Sequence, residues 1–301
     1  MSSRISLDQI YSSAQSRVVD AREREMNTNE KALTLKQLAR PSEDPGGWEI
    51  ARDLKDDVSK RDDLMRNASM GKYTLAASEN VLSQMQEQLQ RAHELAVSAS
   101  NSDRATGQDT RAQILDEAKG ILESTFQICN TTYGGRTLLS GLKSQSPAFD
   151  ETGNFMGDPR AMEVEVEPGV KVPIGVTGDH AILGVGIKGG VNIIDTLRKL
   201  CAGLGADDAE AVRGTLEDLQ HANNQISSVR AEIGGHMHQI ERSVGGQNDD
   251  NISSKDAISR IEDADAVRVF SDLAKDQAVL RSSVSVTEKI LSSNPADILF
   301  K

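Results

Sequence analysis

The sequence is poor in the materials of thick cores, disulfide frameworks and nucleic-acid surfaces. Aromatic residues are 3% of the 301, and Trp48 is the single tryptophan. Large rings fill thick cores, so a core drawn from Leu, Ile, Val, Ala and Thr points to thin helical bundles instead. The two cysteines, Cys129 and Cys201, lie within helical patterns, where a thiol behaves as a small buried hydrophobe and no disulfide is expected. A net charge of −12 with no cluster of lysine and arginine argues against a nucleic-acid partner, because phosphate binding needs a clustered basic face. Residues 1–7 carry one arginine and no apolar run, which does not make a secretory signal. No stretch approaches the ~20 apolar residues of a membrane helix. On these rules alone the chain reads as soluble and cytoplasmic, with no membrane partner.

What the sequence does have is a pair of heptad-patterned blocks at its two ends. The first, from about Ile5 to Leu38, places Tyr11, Ala14, Val18, Ala21, Thr28, Ala32 and Leu35 at steps of three and four, with a polar Glu25 in the series. The last, from about Ser254 to Leu291, does the same with Ala266, Val269, Leu273, Leu280 and Thr287, interrupted by Asp276 and Ser283. A narrow stripe with small and polar members is a weak coiled-coil seam. Helical stability in water comes mostly from packing an amphipathic face, so each block is expected to need a partner, either the other block or further copies of the chain.

Between the ends the pattern predicts a helical rod with a small β insertion. Arg40-Pro41-Ser42-Glu43-Asp44-Pro45-Gly46-Gly47 breaks the first helix, since proline forces its predecessor out of the helical region. Asp44 then caps a new helix with Pro45 at its first position. The run from Trp48 to about Ser100 has one internal glycine, Gly71, and at 1.5 Å per residue would extend about 80 Å. A third helix is expected to about Thr132. From Gly134 to Gly190, period-two alternation in Met162, Val164, Val166 and in Val170, Val172, Ile174, Val176 predicts short antiparallel strands. Helix is expected again near Val191, with breaks at Gly203-Leu204-Gly205 and at Gly245-Gly246.

Candidate chemistry is sparse. Gly184-Val185-Gly186-Ile187-Lys188-Gly189 has dinucleotide-fingerprint spacing, but the fingerprint works only in a βαβ unit, and here the following helix leads to another helix. Turn glycines are the expected reading, with no cofactor. His236 and His238 stand at i and i+2, which point to different sides of a helix, so no metal site is expected. No nucleophile, base and orienting acid are brought together by a visible loop motif. The chain is not expected to be an enzyme.

The break motif Arg40 to Pro45 closely resembles the Arg-Pro-Ser-Asp-Asp-Pro that follows the first helix in the hook-associated protein 3 family of the bacterial flagellin superfamily. Further matches follow in order: Arg4-Ile5-Ser6, Leu89 to Val97, Asn130 to Gly141, and Ile261-Glu262-Asp263-Ala264-Asp265, which resembles the acidic start of the terminal helix. Flagellins share most of these, including Leu89 to Val97, which in some flagellins helps bind an innate immune receptor; Arg91, Leu95 and Glu117 stand at comparable positions. Arg40-Pro41-Ser42 and Gly135 to Gly141 lean towards the junction family, while Gly46-Gly47-Trp48 and Glu43 depart from its usual pattern.

The resemblance implies a mainly α, flagellin-like elongated helical bundle and coiled-coil rod formed by both chain ends, with a small inserted β domain. It implies an inner coiled-coil domain of residues 1–40 plus 255–301, a helical rod of 41–141 plus 191–254, and an outer β-rich domain of 142–190. It further implies an extracellular place in the flagellum reached without a cleaved signal, which replaces the cytoplasmic expectation. Partners would be the chain itself, flagellin, a neighbouring hook-associated protein, and the export apparatus or a chaperone. The expected assembly residues are Ile5, Ile10, Tyr11, Val18, Leu35, Leu280, Ile290, Leu291, Leu299 and Phe300, and the expected joint is Arg40, Pro41, Ser42, Asp44 and Pro45.

Overall fold

The computed structural model describes residues 7–101 and 108–292. Seven helices carry most of the described chain: α1 (Leu7–Thr34), α2 (Pro45–Asn101), α3 (Gln108–Cys129), α4 (Gly178–Ala181), α5 (Ile193–Gly205), α6 (Ala209–Glu262) and α7 (Ala266–Ser292). Four short strands lie between α3 and α4: β1 (Thr132–Tyr133), β2 (Arg136–Thr137), β3 (Glu163–Glu167) and β4 (Val170–Pro173). The chain divides into two compact units, Met1–Ser59 with Asp250–Lys301, and Lys60–Asp249.

In the first unit, α1 and α7 pack side by side and run antiparallel: Thr28 Oγ1 donates to Asp276 at 2.7 Å, and the Ala264 amide donates to the Leu35 carbonyl at 2.9 Å. The expected seam is observed except at Leu35, which lies past the end of α1 and is exposed. Ala14, Ala21 and Ala32 are buried, and Tyr11, Val18, Glu25 and Thr28 half-buried, at alternating steps of four and three. On α7 the half-buried column runs Ala266, Val269, Leu273, Asp276, Leu280, Ser283, Thr287 and Ile290.

The second unit holds the principal core. Helices α2 and α6 are antiparallel, tied by Lys72 to Glu241 and by Arg230 to Glu79 and Gln86. Helix α3 lies back along α2, with Arg91 donating to Glu117 at 2.6 Å, and α5 packs on α3. Leu75, Leu82, Met85 and Leu89 of α2 are fully enclosed together with Leu219, Ile226, Val229 and Ile233 of α6. The small β region caps this bundle. Gly134 and Gly135, both at positive φ, form the two-residue turn between β1 and β2, a conformation that suits paired glycines in a hairpin. The strands β3 and β4 pair antiparallel where the alternation predicts them. They meet α2 at Gly71, where a Cβ would come within 2.6 Å of Ile174 and 3.2 Å of Val164.

Three boundaries differ from expectation. Helix α1 ends at Thr34, not near Leu38, because Leu35 turns left-handed at φ 52° and the following residues bond across to Glu262. Helix α3 stops at Cys129 as the chain enters the hairpin. The break expected at Gly245-Gly246 is absent: α6 passes through it to Glu262, and the true break is Asp263-Ala264-Asp265. Both glycines sit on the exposed face, where an added Cβ would meet open space, while Ser243 and Gln247 on the inner face donate to the Val166 carbonyl. Tertiary contacts outweigh the roughly 1 kcal/mol that a glycine costs in a helix.

Candidate assembly surfaces and joint

The seam between α1 and α7 leaves apolar surface uncovered. One residue beyond the buried series on α1, Val19, Met26 and Leu33 repeat at seven-residue spacing and are 57%, 56% and 79% exposed. On α7, Phe270 and Val284 flank one side of the seam, Val279 and Val286 the other, and all four are exposed. Apolar columns at heptad spacing that their own chain does not cover are suited to further helices. The α1 column was not among the residues singled out from the sequence, although its spacing is visible there.

Of the expected assembly residues, Tyr11, Val18, Leu280 and Ile290 lie on the α1–α7 seam. Leu35 lies at the end of α1, partly exposed, and is not a member of the helical seam. Ile10 and Leu291 lie in α1 and α7, but their side chains fall outside the described residues, as do Ile5, Leu299 and Phe300 altogether.

The joint motif is built for turning the chain. Asp44 Oδ1 accepts from the Gly47 amide at 3.0 Å with Pro45 opening α2, which satisfies a donor that the helix start leaves unpaired. Glu43 Oε2 accepts from the amides of Ala39 at 2.8 Å and Arg40 at 3.2 Å, and these bonds hold its carboxyl below the usual carboxylate range. Arg40 returns a two-pronged contact to Glu30 on α1 at 2.8 Å. Pro41 and Ser42 form the exposed turn.

Facing this motif is a charged cluster that sequence reasoning missed. Glu262, the last residue of α6, has a side chain only 4% exposed; one carboxylate oxygen takes Lys36 at 2.9 Å and the other takes Lys55 of α2. Lys36 also reaches Asp263 at 3.0 Å. Burial pushes the Glu262 carboxyl up, but the two ammonium groups outweigh it and hold it below the ordinary value. Hydrogen bonds to Glu262 and Asp263 raise Lys36 in turn.

The other candidate motifs have structural occupations. Gly184, Gly186 and Gly189 all adopt positive φ in a turn before α5, and the buried Gln225 side chain fills the space beside it, accepting from the Val191 amide and donating to the Ala181 carbonyl. Cys129 and Cys201 are free thiols, and burial pushes Cys129 up to about 12. Among the described residues no three His, Cys, Asp or Glu side chains gather into a metal-holding group, and no helix is long and apolar enough to cross a membrane.

Comparison with known proteins accords with this anatomy. Residues 5–144 match the family model for the bacterial flagellin N-terminal helical region. The chain is 25% identical to flagellar hook-associated protein 3 of Salmonella typhimurium over 93% of its own length and 94% of the relative's. It is 24% identical to flagellin of Listeria monocytogenes over 85% of each chain. Its fold matches a solved structure described as a putative flagellar hook-associated protein from Vibrio parahaemolyticus with a TM-score of 0.67, at 19% identity, over 73% of this chain and all of that one. The chain is thus mainly α with a flagellin-like fold, and along most of its length its sequence is similar to flagellar hook-associated protein 3 and, over a smaller share, to flagellin.

Proposed function

We propose that the chain is a structural adaptor of the bacterial flagellum that joins hook to filament through self-assembly and contacts with flagellin. The observation that carries this reading is the terminal helix pair. Its seam is too small to stabilise it well, and it leaves the Val19, Met26 and Leu33 column open to neighbouring subunits. Head-to-tail contacts of that kind that do not close generate a helical layer. The role is structural rather than catalytic. The interfacial set is Ile5, Ile10, Tyr11, Val18, Leu35, Leu280, Ile290, Leu291, Leu299 and Phe300, with Arg40 to Pro45 at the joint. Residues 1–40 with 255–301 form the inner domain, 41–141 with 191–254 the rod, and 142–190 the outer β-rich part. The partners are a neighbouring hook-associated protein on one side and flagellin on the other, after export through the flagellar apparatus without a cleaved signal.

A junction subunit must prefer a different neighbour above it, so its specificity is a difference between self and partner affinities. The purified chain is therefore expected to stay monomeric or form short oligomers at concentrations where a flagellin extends on seeds. On isolated flagella it should sit at one point at the base of the filament. Removing residues 294–301 should abolish incorporation while leaving the unit of residues 60–249 folded. Long filaments grown from this chain alone would make it a flagellin with the same interfaces.

A further inference from the structure

A carboxylate at the C-terminal end of a helix faces the negative end of the helix dipole, and burying it costs several kcal/mol unless it is paired. Glu262 bears both costs. Its surroundings account for its place: Lys36 and Lys55 come from separate elements to its two oxygens, and its backbone carbonyl accepts from the amides of Gln37 at 2.7 Å and Leu38 at 3.3 Å. Beside it, Lys36 and Asp263 form an isolated antiparallel bridge.

We infer that Glu262 sets the register of the terminal helix pair: its carboxylate, held by Lys36 and Lys55, pins the break before α7 against the linker after α1. The α1–α7 seam sets that register only weakly. Its buried members are alanines, near-equivalent under a slide of one seam step, and the half-buried contact of Thr28 with Asp276 is the polar bond that favours the observed step. The joint has no such degeneracy. Lys36 is bridged to Asp263 and bonded to Glu262, so a slip of the linker against the break would part Glu262 from Lys36 and break the bonds from the Gln37 and Leu38 amides to its carbonyl. Register decides which exposed columns line up for neighbouring subunits, so the inference rests on the assembly reading for its purpose but not for its test.

The test is cross-linking in the purified full-length chain. Thr28→Cys is combined with Asp276→Cys, its present partner, or with Leu273→Cys or Leu280→Cys, one step either way, in a Cys201→Ser background. The first pair should form its disulfide faster by a factor of about ten or more, the scale set by a hydrogen bond to a charged group. In Glu262→Gln that preference should largely disappear. Lys36→Met and Lys55→Met, which keep the apolar stems, should each reduce it partway. Three results overturn the inference: no preference in the parent chain, an unchanged preference in all three variants, or an equal slowing of every pair that leaves the ratio intact. Absence of the chain from flagella would sink the proposed function and leave the register result standing.

Discussion

The two compact units share a helical pattern but not a core. Among the described residues of the unit formed by the chain ends, the buried apolar side chains are Ala14, Ala21, Ala32, Leu38, Ala51 and Val58, and α7 contributes none. The unit of residues 60–249 encloses Leu75, Leu82, Met85, Leu89, Leu139, Phe149, Ile193, Ile194, Leu197, Leu200 and Leu219 completely or nearly so. Free energy from burial scales with apolar area removed from water, and alanines remove little. One unit is therefore a domain in its own right, while the other has the appearance of half an interface.

The largest effect should separate these two directly. Leu82→Ala empties a fully enclosed site and should cost about 2–5 kcal/mol in thermal or denaturant unfolding. Leu280→Ala removes the same atoms from a half-buried seam position and should cost only about 1 kcal/mol in the isolated chain, yet reduce incorporation into flagella. Brief proteolysis should likewise trim both ends first, to a core of about residues 45–255, because local opening is easiest where few apolar contacts hold. Equal protection of ends and core would remove the contrast.

A smaller effect tests how tightly the second unit is fitted. Gly71 is the close approach of β3 and β4 to α2, and Gly71→Val would drive branched carbons into Ile174 and Val164. Overpacking of this kind costs about 1–3 kcal/mol. Scanning calorimetry should show the loss in the main transition, with α1 and α7 unaffected.

Much of this contrast was legible in the sequence, because both seams are local periodicities: the alternating steps from Tyr11 to Ala32 and from Ala266 to Thr287 are the burial pattern observed. The start of α2 was legible too, since Asp44 and Pro45 act through local geometry. The joint was not. Its bonds link residues 35–38 and 55 to residues 262–264, and nothing near Glu262 in sequence announces Lys36 or Lys55. Glycine also misled at Gly245-Gly246, where propensity favours a break and the packing of Ser243 and Gln247 overrides it. Because both glycines are helical with open space around them, Gly245→Ala and Gly246→Ala should each stabilise the chain by about 0.4–1 kcal/mol through the unfolded state, read as a raised midpoint of denaturant unfolding.

The smallest expected effect uses pH to sharpen the same comparison. Glu262 and Asp263 are held below their ordinary values of 4.5 and 3.8, so their contribution is complete above those values and is lost as pH falls through the lower folded-state values. Lys36 is raised above 10.5, so its contribution is complete below that value and lost only as pH rises past the folded one. The joint, where Lys36, Lys55, Glu262 and Asp263 face one another, should therefore hold across the neutral range and loosen in acid. In the second unit, Asp150 is held at about 2 by Thr152 and Asn154, and Asp158 at about 2 by Arg160, so those local contacts persist to lower pH. Trp48 is a natural reporter because it lies in the first unit, half-buried, and its neighbour Gly47 sits against Ile261, the residue before Glu262. On acid titration, Trp48 emission should change before the far-ultraviolet helical signal falls. Loss of both in a single transition would mean that the joint and the large core are one cooperative structure, and the contrast between the units would fail.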